Sequence, residues 1–427
     1  MLLLLPAFAQ TESLLSKSTK GLMRDPIDYA WEPARLGETT GGHAMGSLYA
    51  HDALVSAGTI RPFGPGQLAV WGQGYGFGAT HFDQQTDTDG NTDGVLEGGT
   101  TTGGQLWLAW GNGRAGIALG ISGRYDGQTA VAEFYDIPST GLAPYDDDTD
   151  TGAYTRLDFS QDIVVGFAFR DDKQVTELDL LYRYDLSRPS VQASRTEGNE
   201  RFETKGFWEP STLLENQMGH SGGVRLDSLV ATESGPLRVF VEARVGGYRP
   251  AATGLIDILE VDGETVYRRD LNLADARLLQ ASARALVARH YALDRVELRY
   301  GLSVGASTAA GAWKEATTIY LGDTEESTSQ EYLGRWSSLS FGLPAAALLE
   351  LNQTFSLLAG ADVELTRTTA DEGYAVTGGA GGDMGATTLD TYRRTVIGLR
   401  VTPSDALTLD IASSDLQDLQ VSGVWHF

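Results

Sequence analysis

The chain of 427 residues contains no cysteine. This absence excludes a disulfide framework, a thiolate nucleophile and a zinc site built on thiolates. Basic side chains are also scarce, with 32 Lys and Arg against 57 Asp and Glu, and the formal charge of -25 argues against nucleic acid as a partner. After the first residues, no apolar run approaches the ~20 residues of a transmembrane helix. The 41% of apolar residues nevertheless excludes a disordered chain.

The first ten residues, MLLLLPAFAQ, resemble the end of a secretory signal peptide. Ala7 and Ala9 flank Phe8 in the A-x-A pattern that precedes a cleavage site, although no basic residues come before the apolar run. We therefore expect the protein to be exported. The predicted organisation is a signal peptide over 1–9, an N-terminal segment over 10–40 and the main folded body over 41–427.

Side chains alternate between apolar and polar with a period of two in many parts of the chain. Within 175–185, Leu178 and Leu180 fall on one face of a strand, and Glu177 and Asp179 fall on the other. A strand with one lipid-facing and one water-facing side has this alternation. The same pattern covers 237–245, 279–287 and 296–304.

Turns and long polar stretches distinguish a membrane barrel from a soluble sandwich. Short segments rich in Gly, Asn, Asp and Pro, such as 63–66 and 111–113, alternate with long polar stretches. Bacterial barrels have this asymmetry between their two ends. We therefore predict an all-β, transmembrane, antiparallel up-and-down β-barrel, surrounded by outer-membrane lipid, with short periplasmic turns and long extracellular loops. The predicted long loops are roughly 83–101, 127–152, 187–216, 250–276, 311–334 and 369–386.

The C-terminus resembles the terminal-strand assembly signal of outer-membrane proteins. Apolar residues alternate with polar ones up to a final aromatic residue. The resemblance implies recognition by the barrel-assembly machinery and a location in the bacterial outer membrane. The residues of this signal are Leu419, Val421, Trp425 and Phe427.

The number of strands has two solutions, both even as single-chain bacterial barrels require. Counting from Gly66 onward gives fourteen strands, and the same total results if 407–427 is one bent strand and 54–61 is added. If 41–62 forms an extra hairpin, the total is sixteen. Our prediction is fourteen, with a bulge or bend at Pro344 because proline cannot donate to the strand ladder.

Residues 25–36, DPIDYAWEPARL, are similar to the N-terminal motif of FadL-type outer-membrane transporters and the related PorV-like barrels. In that family an acidic residue precedes a run that ends in Asn-Pro-Ala-Gly-Leu. Here Glu32 stands in place of Asn and Arg35 in place of Gly. The residues that carry the resemblance are Asp25, Trp31, Glu32, Pro33, Ala34 and Leu36.

This resemblance implies an N-terminal luminal hatch formed by about 10–40, and uptake of long-chain fatty acids or other hydrophobic compounds through a lateral gap. A glycine-rich strand, with aromatic residues such as Trp71 on its other face, fits this idea because a glycine face leaves space and weakens a strand. It would receive the hatch or form the lateral opening; close packing of any luminal segment is the alternative. These glycines are Gly72, Gly74, Gly76 and Gly78.

Charged residues on the polar faces of the strands are expected to point into the lumen. Both signs occur on neighbouring strands, so they either fill the lumen with cross-strand ion pairs or line a weakly selective channel. They are Arg156, Asp158, Glu177, Asp179, Arg183, Arg225, Asp227, Arg238, Glu242, Arg244, Arg284, Glu297, Arg299, Arg394 and Arg400.

Chemistry-bearing motifs are weak. Two G-x-S-x-G matches, around Ser221 and Ser303, lack the strand-turn-helix context of a hydrolase, so we expect no enzyme activity. We expect no cofactor, except that one acidic loop spaces oxygen ligands at alternate positions as Ca²⁺ loops do. The residues of this loop are Asp87, Asp89, Asn91 and Asp93.

Three functions remain open at this point. The first is uptake of hydrophobic small molecules through a hatch-closed barrel. The second is a general diffusion porin for small polar solutes, in which 10–40 does not occupy the lumen. The third is a non-transport scaffold in adhesion or secretion, in which the acidic loops bind a partner. We rank them in this order.

Overall fold

The computed structural model describes most of the chain as a closed antiparallel β-barrel. Within the described residues, eighteen strands form one sheet, and two of them lie outside the closed ring, which leaves a wall of sixteen. The residues described are 19–20, 22, 32–39, 41–49, 54–86, 92–135, 147–197, 200–207, 218–249, 254–322, 324–376, 382–415 and 418–427.

The strands differ strongly in length. The wall strands are β1 (His43–Tyr49), β2 (Leu54–Phe63), β3 (Gly66–Thr86), β4 (Thr92–Gly111), β5 (Ala115–Tyr135), β6 (Asp147–Arg170), β7 (Gln174–Glu197), β9 (Met218–Val230), β10 (Leu237–Arg249), β12 (Glu264–Leu293), β13 (Val296–Leu321), β14 (Thr324–Glu350), β15 (Phe355–Val376), β16 (Gly382–Ser404), β17 (Leu407–Ser414) and β18 (Asp418–His426). The two further strands are β8 (Glu200–Phe207) and β11 (Gly254–Val261).

The ring closes by pairing of the first strand with the last. The β1–β18 ladder is antiparallel and runs from His43 opposite His426 to Tyr49 opposite Gln420. Beyond it, the backbone N–H of Phe427 donates to the carbonyl oxygen of Gly42, and the Gly42 N–H donates to Phe427, both at 2.9 Å. Every other wall strand pairs with the wall strands before and after it, with β8 and β11 passed over between β7 and β9 and between β10 and β12, so this seam completes the barrel.

Side chains alternate between an inward and an outward face along each strand, as the sequence predicts. In β7, Glu177 and Asp179 point inward and are buried, whereas Leu180 and Tyr182 point outward and are exposed. The outward face of the barrel therefore carries exposed large apolar side chains on nearly every strand.

The two ends of the barrel differ, and we call them the turn end and the hairpin end. At the turn end, tight connections such as 64–65 and 112–114 join the strands. Gly64, Gly113 and Asp294 have positive φ values of 60°, 81° and 49° there, which such reversals require. At the hairpin end, many strands continue far beyond the level at which others stop.

The prediction of fourteen strands is wrong, and the alternative of sixteen is correct. The extra hairpin exists as β1 and β2, which pair from His43 opposite Ile60 to Tyr49 opposite Leu54. The last part of the chain forms two strands, β17 and β18, instead of one bent strand. The count of fourteen left out two short strands, β1 and β2, because their connection at the hairpin end is as short as a turn.

Most of the predicted long loops form regular paired strands. In 311–334, β13 continues to Leu321 and β14 begins at Thr324, so a short turn replaces the expected loop. These regions carry Thr, Ser and Glu on both faces. Alternation therefore disappears from the sequence, while the backbone hydrogen bonds of the sheet continue.

Pro344 lies within β14 without ending it. Its pairing with Asp362 of β15 is regular, whereas the ladder with β13 has no pairs between Tyr300–Ala345 and Ser303–Gly342. The missing N–H of proline thus interrupts the ladder locally, with no change of register.

Helical structure is minimal in the described part of the chain. A 3-10 turn covers Arg35–Glu38. No helix in the residues described is long and apolar enough to cross a membrane. The main apolar cluster is instead formed by inward side chains on the first strands, and it includes Leu36, Trp71 and Trp107.

Trp107 is 1% exposed, and its ring lies over Gly120 of β5, where a Cβ would overlap it. We expect Trp107→Ala to lower the free energy of unfolding by roughly 3–5 kcal/mol, because the ring leaves a cavity that the wall cannot fill. Urea unfolding of the refolded protein in lipid vesicles measures this. Leu106→Ala, at the outward neighbour that is 56% exposed, is the control. An equal loss in both variants would contradict the packing role of Trp107.

Candidate functional site

The N-terminal segment contacts the inward face of the wall at two places. The first, which we call the proline contact, consists of 32–38 and lies against β3, β4 and β5 near the turn end. The second, which we call the lysine contact, consists of Thr19, Lys20 and Leu22 and involves strands from β12 to β17.

Glycines on the wall allow the close approach of the proline contact. Gly111 and Gly116 flank the turn between β4 and β5, and a Cβ at either position would overlap the carbonyl group of Pro33. Ala34 and Leu36 are both 0% exposed. The backbone of the segment therefore lies directly on the strands, with its apolar side chains buried.

Polar groups fix the orientation of the proline contact. The backbone N–H of Ala34 donates to Oε1 of Glu177 at 3.1 Å. Nη1 of Arg35 lies 3.3 Å from Oε2 of Glu32 and 3.8 Å from Oδ2 of Asp227. Because Glu177 and Asp227 belong to β7 and β9, these bonds extend the contact from the first strands across the next part of the wall.

Two carboxylates beneath the proline contact, Asp179 and Asp227, are paired with arginines. Asp179 accepts from Nε and Nη2 of Arg225, both at 2.7 Å. Asp227 accepts from Nε and Nη2 of Arg238, at 2.9 and 2.8 Å. Buried charges are tolerated only when they are paired in this way, so the network gives a rigid base for the segment.

The lysine contact combines an apolar anchor with a charged one. Leu22 is 5% exposed and packs among inward residues that include Leu286, Leu358 and Val396. Nη1 of Arg299 donates to the carbonyl oxygen of Leu22 at 2.7 Å.

Nζ of Lys20 binds two strands at once. It lies 2.7 Å from Oε2 of Glu364 and 3.4 Å from Oδ2 of Asp362, both on β15, and donates to Oγ of Ser303 on β13 at 2.8 Å. The lysine is therefore the group that ties the start of the segment to this side of the wall.

The two contacts lie on different sides of the ring. The proline contact uses β3 to β9, and the lysine contact uses β12 to β17. Only nine residues of chain, 23–31, connect Leu22 with Glu32. The segment thus joins two separated parts of the inward face.

The predicted inward-facing charges are found on that face, mostly in ion pairs with neighbours. Glu242 accepts from Arg244 at 2.5 Å and from Arg284 at 3.1 Å, and Arg400 binds Asp410 at 2.7 Å. The side chain of Arg156 is outside the described part. Further pairs are Arg183 with Asp185 and Asp162, and Arg299 with Glu297; Asp158 and Arg394 also lie on inward positions.

The structure places the glycine row Gly72, Gly74, Gly76 and Gly78 on the outward face, contrary to the expectation of space inside the wall. Trp71, on the other face of β3, is 5% exposed and belongs to the inward cluster around Leu36. A Cβ at Gly72 or Gly74 would have no neighbour closer than 4.0 Å. The row therefore does not receive the N-terminal segment, and the lateral opening stays a prediction.

Several predicted residues cannot be placed. Asp25 and Trp31 of the motif, and Asp87, Asp89 and Asn91 of the acidic loop, lie outside the described residues, as does the side chain of Asp93. Within the residues that are described, no group of His, Asp and Glu is arranged to hold a metal ion. The Ca²⁺ loop stays a prediction.

The residues of the C-terminal signal lie on the outward face of β18. Leu419, Val421, Trp425 and Phe427 are 40–61% exposed there. Their row ends beside the seam, where the guanidinium of Arg61 lies 5.0 Å from the centre of the Phe427 ring. Recognition by the assembly machinery stays a prediction.

Sequence reasoning missed the residues that hold the segment from the wall side. Lys20, Asp362 and Glu364 carry no local motif, and Lys20 meets Ser303 across 283 positions of sequence. Gly111 was read only as a turn residue, although its lack of a side chain also makes room for Pro33. In the register of β15 with β16, Asp362 lies opposite Arg394, so no uncompensated carboxylate in the sequence pointed to Lys20.

No protein-family model matches the chain, and no curated protein sequence matches it. Among solved structures, the chain is similar to the deltaS2 mutant of the TodX monoaromatic hydrocarbon channel, with 10% identity over 97% of this chain and 98% of that one, and a TM-score of 0.40. It is also similar to the P. putida toluene transporter TodX, with 10% identity over 95% of each chain and a TM-score of 0.36. The ferric yersiniabactin uptake receptor FyuA from Yersinia pestis is similar with 8% identity over 91% of this chain and 80% of that one, and a TM-score of 0.33. These similarities concern the fold alone.

Gly116→Ala tests the proline contact. The new Cβ would overlap the Pro33 carbonyl group, so we expect the segment to detach and trypsin to cleave after Arg35 several-fold faster than in the wild type. Mass spectrometry of a timed digest measures this. Gly123→Ala, on the outward face of the same strand with its nearest atom at 3.9 Å, is the control. Unchanged cleavage in Gly116→Ala would show that the contact does not hold the segment.

Lys20→Met tests the lysine contact. It leaves Asp362 buried without its cation, which weakens the attachment by roughly 1–3 kcal/mol. We expect faster hydrogen–deuterium exchange in the peptide that contains Thr19, Lys20 and Leu22. Lys173→Met, at an exposed turn, is the control. Equal exchange in both variants would contradict the role of Lys20.

Proposed function

We propose that the protein is a bacterial outer-membrane barrel for the uptake of hydrophobic small molecules, such as long-chain fatty acids, and that its N-terminal segment is a luminal hatch. The observation that carries this proposal is the attachment of one short segment to two separated parts of the inward wall. Two attachment points on different sides of the ring are what a hatch across the lumen requires, and the motif resemblance implies the same arrangement.

The outward surface supports a position in the membrane. Aromatic side chains lie near the turn end, where Tyr291 stacks on Tyr300 with ring centres 6.3 Å apart. A second group lies higher on the wall, where Tyr182 donates to or accepts from Nδ1 of His220 at 2.7 Å and Tyr184 lies beside the same ring. The distance between the two levels can be measured along β7, from Thr176 near the turn end to Tyr184 in the upper group. These eight residues of tilted strand span about 20 Å along the barrel axis, which is close to the height of a lipid-facing band between two aromatic girdles.

The inward surface supports a closed barrel more than an open porin. Its charges are mostly engaged in ion pairs between or along neighbouring strands, as in Arg225 with Asp179 and Arg400 with Asp410. Paired charges of both signs fill space and attract no ion of one sign. An apolar solute is favoured instead by the inward clusters around Trp107 and around Trp336.

The two contacts divide the work of the hatch. At the proline contact, Glu32, Pro33, Ala34 and Leu36 are buried against glycines and paired charges of the wall. The lysine contact depends on Lys20 and Glu364, whose side chains are both 26% exposed. Because solvent weakens an exposed ion pair, the lysine contact releases first when a solute enters the lumen. The proline contact then keeps the segment on the wall.

Single-channel recording in a planar bilayer tests the hatch. We expect the intact protein to be silent or nearly so, and a variant lacking 10–40 to conduct, because removal of the segment clears the lumen. Uptake of a fluorescent long-chain fatty acid by cells that express the intact protein tests the substrate class. The control is the same cells with an empty vector. Large, steady conductance from the intact protein would overturn the hatch, and absence of fatty-acid uptake would overturn the substrate class.

A further inference from the structure

The wall of the barrel is low over four neighbouring strands. β17, β18, β1 and β2 contain 8, 9, 7 and 10 residues, whereas the flanking strands β16 and β3 contain 23 and 21. The chain between these short strands is also short, since 50–53 join β1 to β2 and 415–417 join β17 to β18. We call the resulting gap the notch.

Both sides of the notch are unpaired sheet edges. β17 pairs with β16 only from Val396 to Ser404, so 382–394 have β15 on one side and no paired strand among the described residues on the other. β2 pairs with β3 only as far as Gly74, which leaves 76–86 of β3 in the same situation. Five strand spacings make the notch about 24 Å wide, and its edges rise roughly 30 Å along the barrel axis.

A second low part of the wall is filled, which sets the notch apart. β9 and β10 contain 13 residues each, but above them β8 and β11 pair with each other and with β7 and β12. The upper part of the barrel is therefore a sheet of twelve strands that is continuous from β3 to β16. It opens sideways only at the notch, as far as the described ranges extend.

The floor of the notch is the upper edge of β17, β18, β1 and β2, and at β17 a defined set of hydrogen bonds ends the sheet. Oδ1 of Asp415 accepts hydrogen bonds from the hydroxyl and the backbone N–H of Thr395, at 2.7 and 2.8 Å, where the next strand pair would begin. These two bonds, the one from the hydroxyl first, hold the pKa of Asp415 below its usual value. The charged carboxylate thus ends the ladder between β16 and β17 at a defined level.

The apolar side chains of the outward surface continue up to the floor. Leu48, Val55 and Leu419 are each within one or two residues of the strand end at the floor, and they are 51%, 56% and 45% exposed. The inward positions at the same level hold Ser47 and Ser56, which share a hydrogen bond of 2.5 Å, and also Leu54 and Gln420. A molecule lying on the apolar surface therefore keeps apolar contacts up to the top of the floor.

From this geometry we propose that the notch is a side doorway, through which single-chain amphiphiles at the outer membrane surface pass over the floor into the lumen. The inference rests on the proposed function and names its route. The apolar chain leaves the outward face at Leu48 and Val55 and crosses the floor into the lumen beside Leu54. Its polar head group stays in water beside the exposed edge of β16.

A bulky group attached to a single cysteine in the notch tests the doorway. Because the chain has no cysteine of its own, a maleimide reagent labels only the cysteine that is introduced. Thr391→Cys lies on the exposed edge of β16, and Thr308→Cys lies outward on β13, at a similar height but between two paired strands. Cells that express either variant are treated with a large polyethylene glycol maleimide or with N-ethylmaleimide. Uptake of a fluorescent long-chain fatty acid is then measured.

We expect the polymer at Thr391→Cys to slow uptake several-fold, while N-ethylmaleimide at this site and the polymer at Thr308→Cys leave it near the rate of the unlabelled protein. Normal uptake with the polymer at Thr391→Cys would overturn the doorway and leave the proposed function intact. Equal slowing at both sites would also overturn it. No uptake by either unlabelled variant or by the wild type would overturn the proposed function and the doorway with it.

Discussion

Closure of the hydrogen-bonded ring is the constraint on which this structure depends. An open sheet of sixteen strands would leave two edges of unpaired N–H and C=O groups, and such edges are costly in an apolar environment. The pairing of β1 with β18 removes both edges at wall level. A lumen with a separate inward chemistry exists only because of this closure, and so do the contacts of the N-terminal segment.

The wall could be predicted from the sequence because each strand shows two different environments. Leu180 and Glu177 differ in polarity since they face outward and inward on β7. In the upper parts of the strands, both faces carry polar residues. The alternation that reveals a strand is therefore missing there, and 311–334 was taken for a loop although its backbone is paired. The strand count failed for a related reason: β1 and β2 are short, and a short connection at the hairpin end looks like any other turn.

The candidate site was predictable on one side only. Pro33, Ala34 and Leu36 were identified by a motif, and the structure places them on the inward wall. Their partners are set by the curvature of the ring, which brings Lys20 to Glu364 across most of the chain. The glycine row of β3 was assigned to the wrong face because glycines were expected to leave space inside the wall, whereas Trp71 on the other face is the inward residue. Pattern gives the period of a strand but not which of its faces is inside.

The position of the seam has a consequence for the order of folding. The N-terminal segment, whose described residues contact the inward wall, precedes β1 in the chain, and β1 is one half of the pairing that closes the ring. While that pairing is absent, the nascent wall is an open, curved sheet that the segment reaches from the side. Once β18 pairs with β1, the same segment would have to thread through an end of the finished barrel. Folding of the wall around the segment is therefore the shorter path, and the pairing of β1 with β18 is the step that completes it.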